Sequence, residues 1–243
     1  MSMHLQREIA ELKERLLSLC AMVEQNLALA VRALAERDAD LARRVIAADD
    51  TVDRREVELE EEALKILALH QPVAIDLRTI VATIKINSDL ERIGDLAVNI
   101  AERAEFLAFQ DYRFREFDFD TMSRRALTMV RNSVDAFVRM DEALARSVCA
   151  ADDSVDALNR QMYDVVKQAI LAQTPEQANI LVHLLSVSRH LERIADHATN
   201  IAEDVIYMIS GEIARHRAED YVHQRGETAA PAAGAAPEGS HGA

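Results

Sequence analysis

The stretch that decides the fold is residues 88–102, SDLERIGDLAVNIAE. It recurs at residues 189–203 as RHLERIADHATNIAE, so that Glu192 lies 101 residues after Glu91. A repeat of this length indicates two similar structural units in tandem. The sequence is therefore predicted to fold as two copies of one unit.

Both copies have the periodicity of an amphipathic helix. Residues four apart share a helix face, so Glu91 and Asp95 lie on one side of the first copy. Leu90 and Ile93 fall on the opposite side, where an apolar stripe would face a core. The repeated stretch is therefore predicted to be a helix with oxygen ligands opposite its buried face.

A second acidic pair precedes each copy. The sequence ADDTVD contains Asp49 and Asp53, and the similar sequence ADDSVD contains Asp152 and Asp156. Both pairs have i,i+4 spacing, which places the two carboxylates of a pair on one helix face. Each half of the chain therefore has two acidic pairs on two successive helices.

A proline lies at or beside the midpoint between the acidic pairs of each half, Pro72 in the first and Pro175 in the second. Proline disfavours helical geometry in the residue before it, so each proline is predicted to separate two antiparallel helices. This arrangement places the two pairs of one half level with each other. The predicted clusters are Asp49, Asp53, Glu91 and Asp95, and Asp152, Asp156, Glu192 and Asp196.

The composition favours long helices. Of 243 residues, 49% are hydrophobic and only 4% aromatic, there is no Trp, and the first glycine is Gly94. Asp38, Asp141 and Thr174 are predicted helix N-caps. The predicted fold is all-α, with six long helices in two tandem three-helix bundles whose cores are separate and joined end to end or side by side. The predicted segments are a first bundle (4–109), an aromatic-rich connector (110–118), a second bundle (119–218) and a disordered tail (224–243).

Charge and motifs exclude several classes of function. The net charge of −14 argues against a nucleic-acid-binding surface. Two scattered cysteines form neither a disulfide framework nor a zinc site. No run of about 18 apolar residues and no signal-peptide pattern is found, so no membrane span and a cytoplasmic location are expected. Without a nucleophile constellation or a phosphate-binding glycine loop, the chain is not expected to be an enzyme.

The acidic clusters have two interpretations. Acidic residues opposite an apolar stripe usually form a solvated face, and Arg92 and Arg193 would offset part of the charge. However, like charges at i,i+4 destabilise a helix, and stacking two such pairs level with each other adds repulsion. Hard cations bound by several carboxylates relieve that repulsion, and an all-oxygen site suits magnesium, manganese, calcium or iron. We therefore predict metal ions at the protein surface, held by the eight acids.

The sequence leaves two interpretations open for each of two further features, a row of histidines and an aromatic-rich segment. His183, His190 and His197 lie seven apart, too far from each other to share one zinc ion, so a subunit contact or an exposed polar stripe is predicted. The aromatic residues between Phe106 and Asp120 form either a partner-binding patch or, as we favour, a connector whose rings pack across the bundle ends.

The duplicated LERIGD and NIAE motifs resemble the PhoU family, phosphate-transport accessory proteins, over residues 4–218. The resemblance implies six helices, a cytoplasmic location, a homodimer and no catalytic activity. It implies that the eight acids are the family's metal motif, occupied by iron or zinc clusters, with manganese or magnesium also compatible. His190 stands where the first copy has Asp89, a departure that leaves the four-acid pattern intact.

The resemblance also implies a function that spacing alone does not. A PhoU-like protein would be a negative regulator of phosphate uptake and of the phosphate-starvation response. It would act as an adaptor between the phosphate ABC transporter ATPase and a membrane sensor histidine kinase, reaching the membrane only through these partners. The alternative hypothesis is a metal-buffering protein or a metalloenzyme with multinuclear carboxylate sites.

Overall fold

Six α-helices make up the fold in this computed structural model, which describes residues 3–110, 117–170 and 174–211. They are α1 (Met3–Glu36), α2 (Ala39–His70), α3 (Ala74–Ala108), α4 (Phe119–Arg139), α5 (Glu142–Ile170) and α6 (Pro175–Ser210). The described ranges contain no strand, which confirms the all-α prediction. The predicted end of the second bundle at 218, the tail from 224 and most of the connector, residues 111–116, lie outside the described residues.

The predicted helix starts are confirmed by their capping bonds. The carboxylate of Asp38 accepts a 2.9 Å hydrogen bond from the backbone N–H of Leu41, which satisfies a free donor of the first turn of α2. Asp141 accepts the equivalent 2.9 Å bond from Leu144 in α5. Thr174 forms a capping box with Gln177 at the start of α6. Helix α6 ends at Gly211, whose φ of 77° terminates the helix in the left-handed region.

Each half is a three-helix bundle, with α1, α2 and α3 in the first and α4, α5 and α6 in the second. Helix α1 buries a stripe that includes Leu12, Leu16, Val23 and Leu27. Met3–Glu36 contains an 18-residue window of mean hydropathy 1.3, so by length and composition alone this helix could cross a membrane. Its apolar side packs against α2 and α3, as in the central helix of a bundle.

The two bundles lie side by side, with α3 antiparallel to α6 along their shared boundary. The Arg78 guanidinium donates a 2.9 Å hydrogen bond to the carbonyl of Met208 at one end of this boundary. Further along, Lys85 Nζ lies 2.7 Å from Asp204 Oδ1. The expectation of separate cores is wrong, because one continuous cluster of buried side chains runs through both bundles. The repeated helix has an apolar face wide enough to contact its own bundle and its counterpart.

The three histidines of α6 lie at this boundary between the bundles. His197 Nδ1 lies 2.8 Å from Asp89 Oδ1, and the His183 ring stacks on Phe106 with centroids 4.1 Å apart. His190 hydrogen-bonds Ser186, and burial together with nearby arginines lowers its pKa to about 4. The prediction of a subunit contact or exposed stripe is therefore wrong, because α3 of the first bundle covers this face of α6.

The aromatic side chains around the connector divide between packing and exposure. Phe117 is buried and meets Phe119 edge-to-face, with centroids 4.7 Å apart. Phe106 packs on α6, whereas Phe109 at the end of α3 is 71% exposed. The described rings therefore mostly pack at the bundle ends, as favoured from the sequence, and Phe109 is the exception.

Candidate metal centre

The eight predicted ligands lie along two helix–helix seams. The first seam joins α2 to α3 and the second joins α5 to α6, so each hairpin carries one four-acid cluster. Six of the carboxylates are half-buried, and Asp53 and Asp196 are exposed. The neighbouring helix of each hairpin therefore covers part of the acidic face, and the expected position of ions at the protein surface stays a prediction.

The first cluster consists of Asp49, Asp53, Glu91 and Asp95. Burial raises the pKa of Asp49 to about 6, with added repulsion from Asp53 and from Asp95 across the seam. Burial also raises the pKa of Glu91, which is repelled by Asp95 and by Asp53 across the seam. These repulsions pair Asp49 with Asp95 and Asp53 with Glu91, the level arrangement expected from the position of Pro72.

The second cluster consists of Asp152, Asp156, Glu192 and Asp196. Its largest rise in pKa exceeds that of the first cluster. Burial and repulsion by Asp196 and Asp156 raise the pKa of Asp152 to about 7. Burial and neighbouring acids also raise the pKa values of Glu192 and Asp196. The Oδ1 atom of Asp152 is buried without a hydrogen-bond partner. A buried carboxylate oxygen in this state is stabilised by a cation or by a proton.

Gly94 lets α2 approach α3 beside the first cluster. A Cβ at this position would lie 3.3 Å from Val52 Cγ1 and 3.9 Å from Asp49 Oδ1. The first distance is a tight contact, so a side chain here would press on the segment that carries Asp49 and Asp53. The second repeat has Ala195 at the equivalent position, fully buried, so the two sites are related but not identical in their packing.

Arginines offset part of the acidic charge. Arg92 lies 3.4 Å from Glu91 and 3.5 Å from Asp95 in the first cluster. In the second, Arg160 lies 3.4 Å from Asp156, while the charge of Arg193 opposes the raised pKa values of Glu192 and Asp196. These guanidinium groups are exposed, so solvent screens them, and burial still dominates the raised pKa values. The arginine explanation from the sequence therefore accounts for only part of the stabilisation.

The chemistry of the donors fits a hard divalent or trivalent cation. Each cluster offers four carboxylates on two antiparallel helices, with an unsatisfied Asp152 oxygen in the second. Within the described ranges, no group of three or more His, Cys, Asp or Glu side chains is placed to hold a metal ion as it stands. The carboxylates would therefore have to rotate toward each other to bind one, and metal binding stays a prediction.

Sequence reasoning missed the polar link between the helices of each hairpin. The Asn87 amide donates a 2.8 Å hydrogen bond to the carbonyl of Glu56, joining α3 to α2. At the repeat-equivalent positions, the Ser188 hydroxyl donates a 2.8 Å bond to Asn159 Oδ1, joining α6 to α5. The pKa of Glu56 is raised by burial, Glu60 and Asp53, so this acid extends the first cluster. Its i+3 spacing from Asp53 was the signal available in the sequence.

Both halves match one family model, described as the PhoU domain, at residues 16–104 and 119–205. The Aquifex aeolicus "Phosphate-specific transport system accessory protein PhoU homolog" is 40% identical over 93% of this chain and 100% of its own length. The Pseudomonas aeruginosa protein of the same name is 35% identical over 90% of this chain and 93% of its own.

Two solved structures share the fold over nearly their whole length. A crystal structure of PhoU from Pseudomonas aeruginosa matches with a TM-score of 0.82 at 35% identity, covering 85% of this chain and 99% of that chain. The phosphate transport system regulatory protein PhoU from Streptococcus pneumoniae matches with a TM-score of 0.77 at 28% identity, covering 86% of this chain and 99% of that chain. The fold described above is thus shared with both crystal structures.

Proposed function

This chain belongs to the PhoU family, and from that premise we propose that it is a negative regulator of phosphate uptake and of phosphate-starvation signalling. Its family membership supports a role in the regulation of phosphate transport. The finer proposal is an adaptor that contacts both the phosphate ABC transporter ATPase and a sensor histidine kinase. Such an adaptor needs a large rigid surface rather than an active site, which suits six long helices around one core.

The observation that carries the proposal is the agreement between the two family matches and the two acidic hairpins. The matches at residues 16–104 and 119–205 each contain one complete four-acid cluster and most of one three-helix bundle. Each family match therefore covers one of the two hairpins that carry the predicted acids, which supports the proposal.

We propose that the eight carboxylates bind metal ions, one group in each hairpin. Asp49, Asp53, Glu91 and Asp95 would hold the first group, and the second would use the equivalent acids of α5 and α6. Bound cations would supply the positive charge that offsets the raised pKa values of Asp49 and Asp152. The oxygen ligands are compatible with iron, manganese or magnesium, and zinc also accepts carboxylates. The metal would then fix α2 to α3 and α5 to α6.

We further propose a cytoplasmic homodimer that reaches the membrane only through its partners and does not catalyse a reaction. The matched relatives are named as accessory proteins of a transport system, which supports association with that system. Exposed apolar side chains at the α2–α3 turn, Leu69 and Val73, are available for contacts with other proteins.

A pull-down with the full-length, metal-loaded protein tests the proposal. The baits are the cognate transporter ATPase and the cytoplasmic part of the cognate sensor kinase. We expect retention on both baits, and retention on neither contradicts the adaptor role. Steady turnover of a phosphoester or a peroxide by the same preparation would instead favour the metalloenzyme.

A further inference from the structure

A groove between α4 and α5 is separate from the acidic seams and has no role in the function proposed above. It has a volume of about 400 Å³. This is within the range of small-molecule sites. Its polar lining includes Arg124, Arg125, Thr128, Asn132 and Ser147. Met129, Val148 and Ala151 form an apolar floor.

The internal repeat provides a comparison for this groove, because residues 103 positions earlier occupy the equivalent places between α1 and α2. Met22 stands at the position of Arg125, and Leu29 at that of Asn132. Both are partly buried and pack against the core. The first repeat therefore has apolar side chains where the second has a guanidinium and a carboxamide. At the positions of Thr128 and Ser147 the first repeat also has polar side chains, Gln25 and Arg44, so the comparison distinguishes the second repeat at Arg125 and Asn132.

The arginines supply donors for an anion. Arg125 donates one hydrogen bond across the groove, from Nη1 to the carbonyl of Ser154 at 3.1 Å. Among the described residues it has no carboxylate partner, whereas Arg124 is paired with Asp120 at 3.0 Å. The remaining N–H groups of Arg125 present the planar donor fork that matches a phosphate.

The hydroxyl groups supply acceptors. Thr128 donates to the carbonyl of Arg124 and Ser147 to that of Leu144, each at 2.7 Å. Each hydroxyl proton is thus used by the backbone, and the oxygen lone pairs remain for a ligand donor. The amide of Asn132 both donates and accepts. The groove therefore offers donors for an anionic group, acceptors for hydroxyl groups and an apolar floor.

We propose that this groove binds a phosphorylated sugar compound, with the phosphate on Arg125, the sugar hydroxyls on Ser147, Thr128 and Asn132, and the carbon skeleton on Met129 and Val148. The net charge of −14 opposes the approach of any anion, so affinity must come from these local contacts. Binding is expected in the micromolar to millimolar range.

Titration calorimetry on the full-length, chelator-treated protein tests the proposal with four probes: ribose 5-phosphate, adenosine monophosphate, adenosine and inorganic phosphate. Chelation removes metal-bound phosphate as a source of signal. We expect the two ribosyl phosphates to bind at least tenfold more tightly than adenosine or inorganic phosphate. Absence of binding by both ribosyl phosphates at 10 mM, or equal binding of all four probes, overturns the proposal.

Substitutions from the first repeat locate the site without challenging the fold. The Arg125→Met and Asn132→Leu double variant installs the side chains of Met22 and Leu29, and is expected to keep the wild-type melting temperature and lose at least tenfold in affinity. Arg139→Gln, on the same helix but away from the groove, is the charge-matched control and should bind as the wild type does. Unchanged affinity of the double variant, or an equal loss in the control, contradicts the assignment.

Backbone and methyl NMR shifts provide a readout that does not depend on the variants. Addition of ribose 5-phosphate should shift the signals of Met129, Val148 and Thr128 in the wild type. Shifts confined to the α2–α3 seam would place the ligand elsewhere and overturn the proposal.

Discussion

Among the eight predicted ligands, Asp152 is the residue whose pKa is raised most. It has a buried Oδ1 without a partner and a pKa raised to about 7, chiefly by burial and then by the facing Asp196. Its counterpart Asp49 has a smaller rise, to about 6. The more buried site therefore carries the larger cost of an uncompensated charge. In the metal-free protein this cost appears as pH-dependent stability.

We predict that Asp152→Asn stabilises the metal-free protein at pH 8 by roughly 1–2 kcal/mol, after discounting the pKa shift for the exposed part of the side chain. Below about pH 4 the carboxyl is protonated in both states, so the gain is absent. Between about pH 4 and 7 the unfolded chain loses the proton first, so wild-type stability falls as pH rises. Urea unfolding in a chelator at several pH values measures this difference.

Asp153→Asn is the matched control, because it removes the same charge from the neighbouring, exposed position. It should change the free energy of unfolding by less than about 0.5 kcal/mol, both at pH 8 and below about pH 4. An Asp152→Asn variant that is no more stable than the wild type at pH 8 would show that the carboxylate is well solvated in solution.

The helical hairpin is the element that brings the acids together. In the first half, α2 and α3 meet along a seam on which Asn87 donates to the carbonyl of Glu56, fixing the register. In the second, Ser188 and Asn159 make the equivalent link between α5 and α6. Because each link lies close to the acids in sequence, it holds the two acidic pairs level. The hairpin, rather than either helix alone, is therefore the unit predicted to bind metal.

We predict that the two hairpins bind metal independently. Asp49→Ala with Asp95→Ala should remove the metal of the first hairpin and leave that of the second, because no cluster residue is shared between the seams. Asp152→Ala with Asp196→Ala should do the reverse. Metal analysis of protein purified without chelator gives the metal content per chain of each variant.

Asp50→Ala with Asp153→Ala is the control for this series, since both are exposed aspartates next to the clusters in sequence. It should keep the wild-type metal content. Full metal content in both cluster variants would contradict carboxylate binding, and complete loss in either one would indicate a single shared centre.

At the scale of the whole molecule, the boundary between α3 and α6 turns two bundles into one folding unit. Lys85 reaches Asp204, which is only 5% exposed, and His197 reaches Asp89 on the opposite helix. The core is continuous across this boundary. The α2–α3 and α5–α6 hairpins therefore each contribute one helix to the boundary between the two halves.

We predict that Lys85→Met destabilises the protein by about 2–3 kcal/mol, because it removes the ammonium partner of a buried carboxylate. Both bundles should still unfold in a single transition, since they share one core. Urea unfolding followed by circular dichroism and by hydrogen exchange in each half measures the stability and its cooperativity.

Lys65→Met is the matched control, because Lys65 pairs with Glu62 at 3.4 Å on an exposed face of α2. Its effect should stay below about 0.5 kcal/mol. Equal effects of the two substitutions would mean that the Lys85–Asp204 pair adds nothing, and separate transitions for the two halves would contradict a shared core.

The sequence by itself determined the features that depend on local chain chemistry. Helix periodicity and the N-caps at Asp38, Asp141 and Thr174 depend on groups within one helical turn of each other. They could therefore be predicted from the sequence without the tertiary structure. The prediction that Asp49 faces Asp95 and Asp53 faces Glu91 followed from the equal numbers of residues between Pro72 and each member of a pair. The raised pKa values of Asp49 and Glu91 agree with that register.

Only the tertiary structure decided which outward faces of the bundles meet. The histidines of α6 fall on one face from the sequence, but their contacts with Phe106 and Asp89 depend on α3 packing there. The same holds for the fused core, for the half-buried acids and for the groove that contains Arg125. These features come from packing between helices far apart in sequence, which a local pattern does not encode.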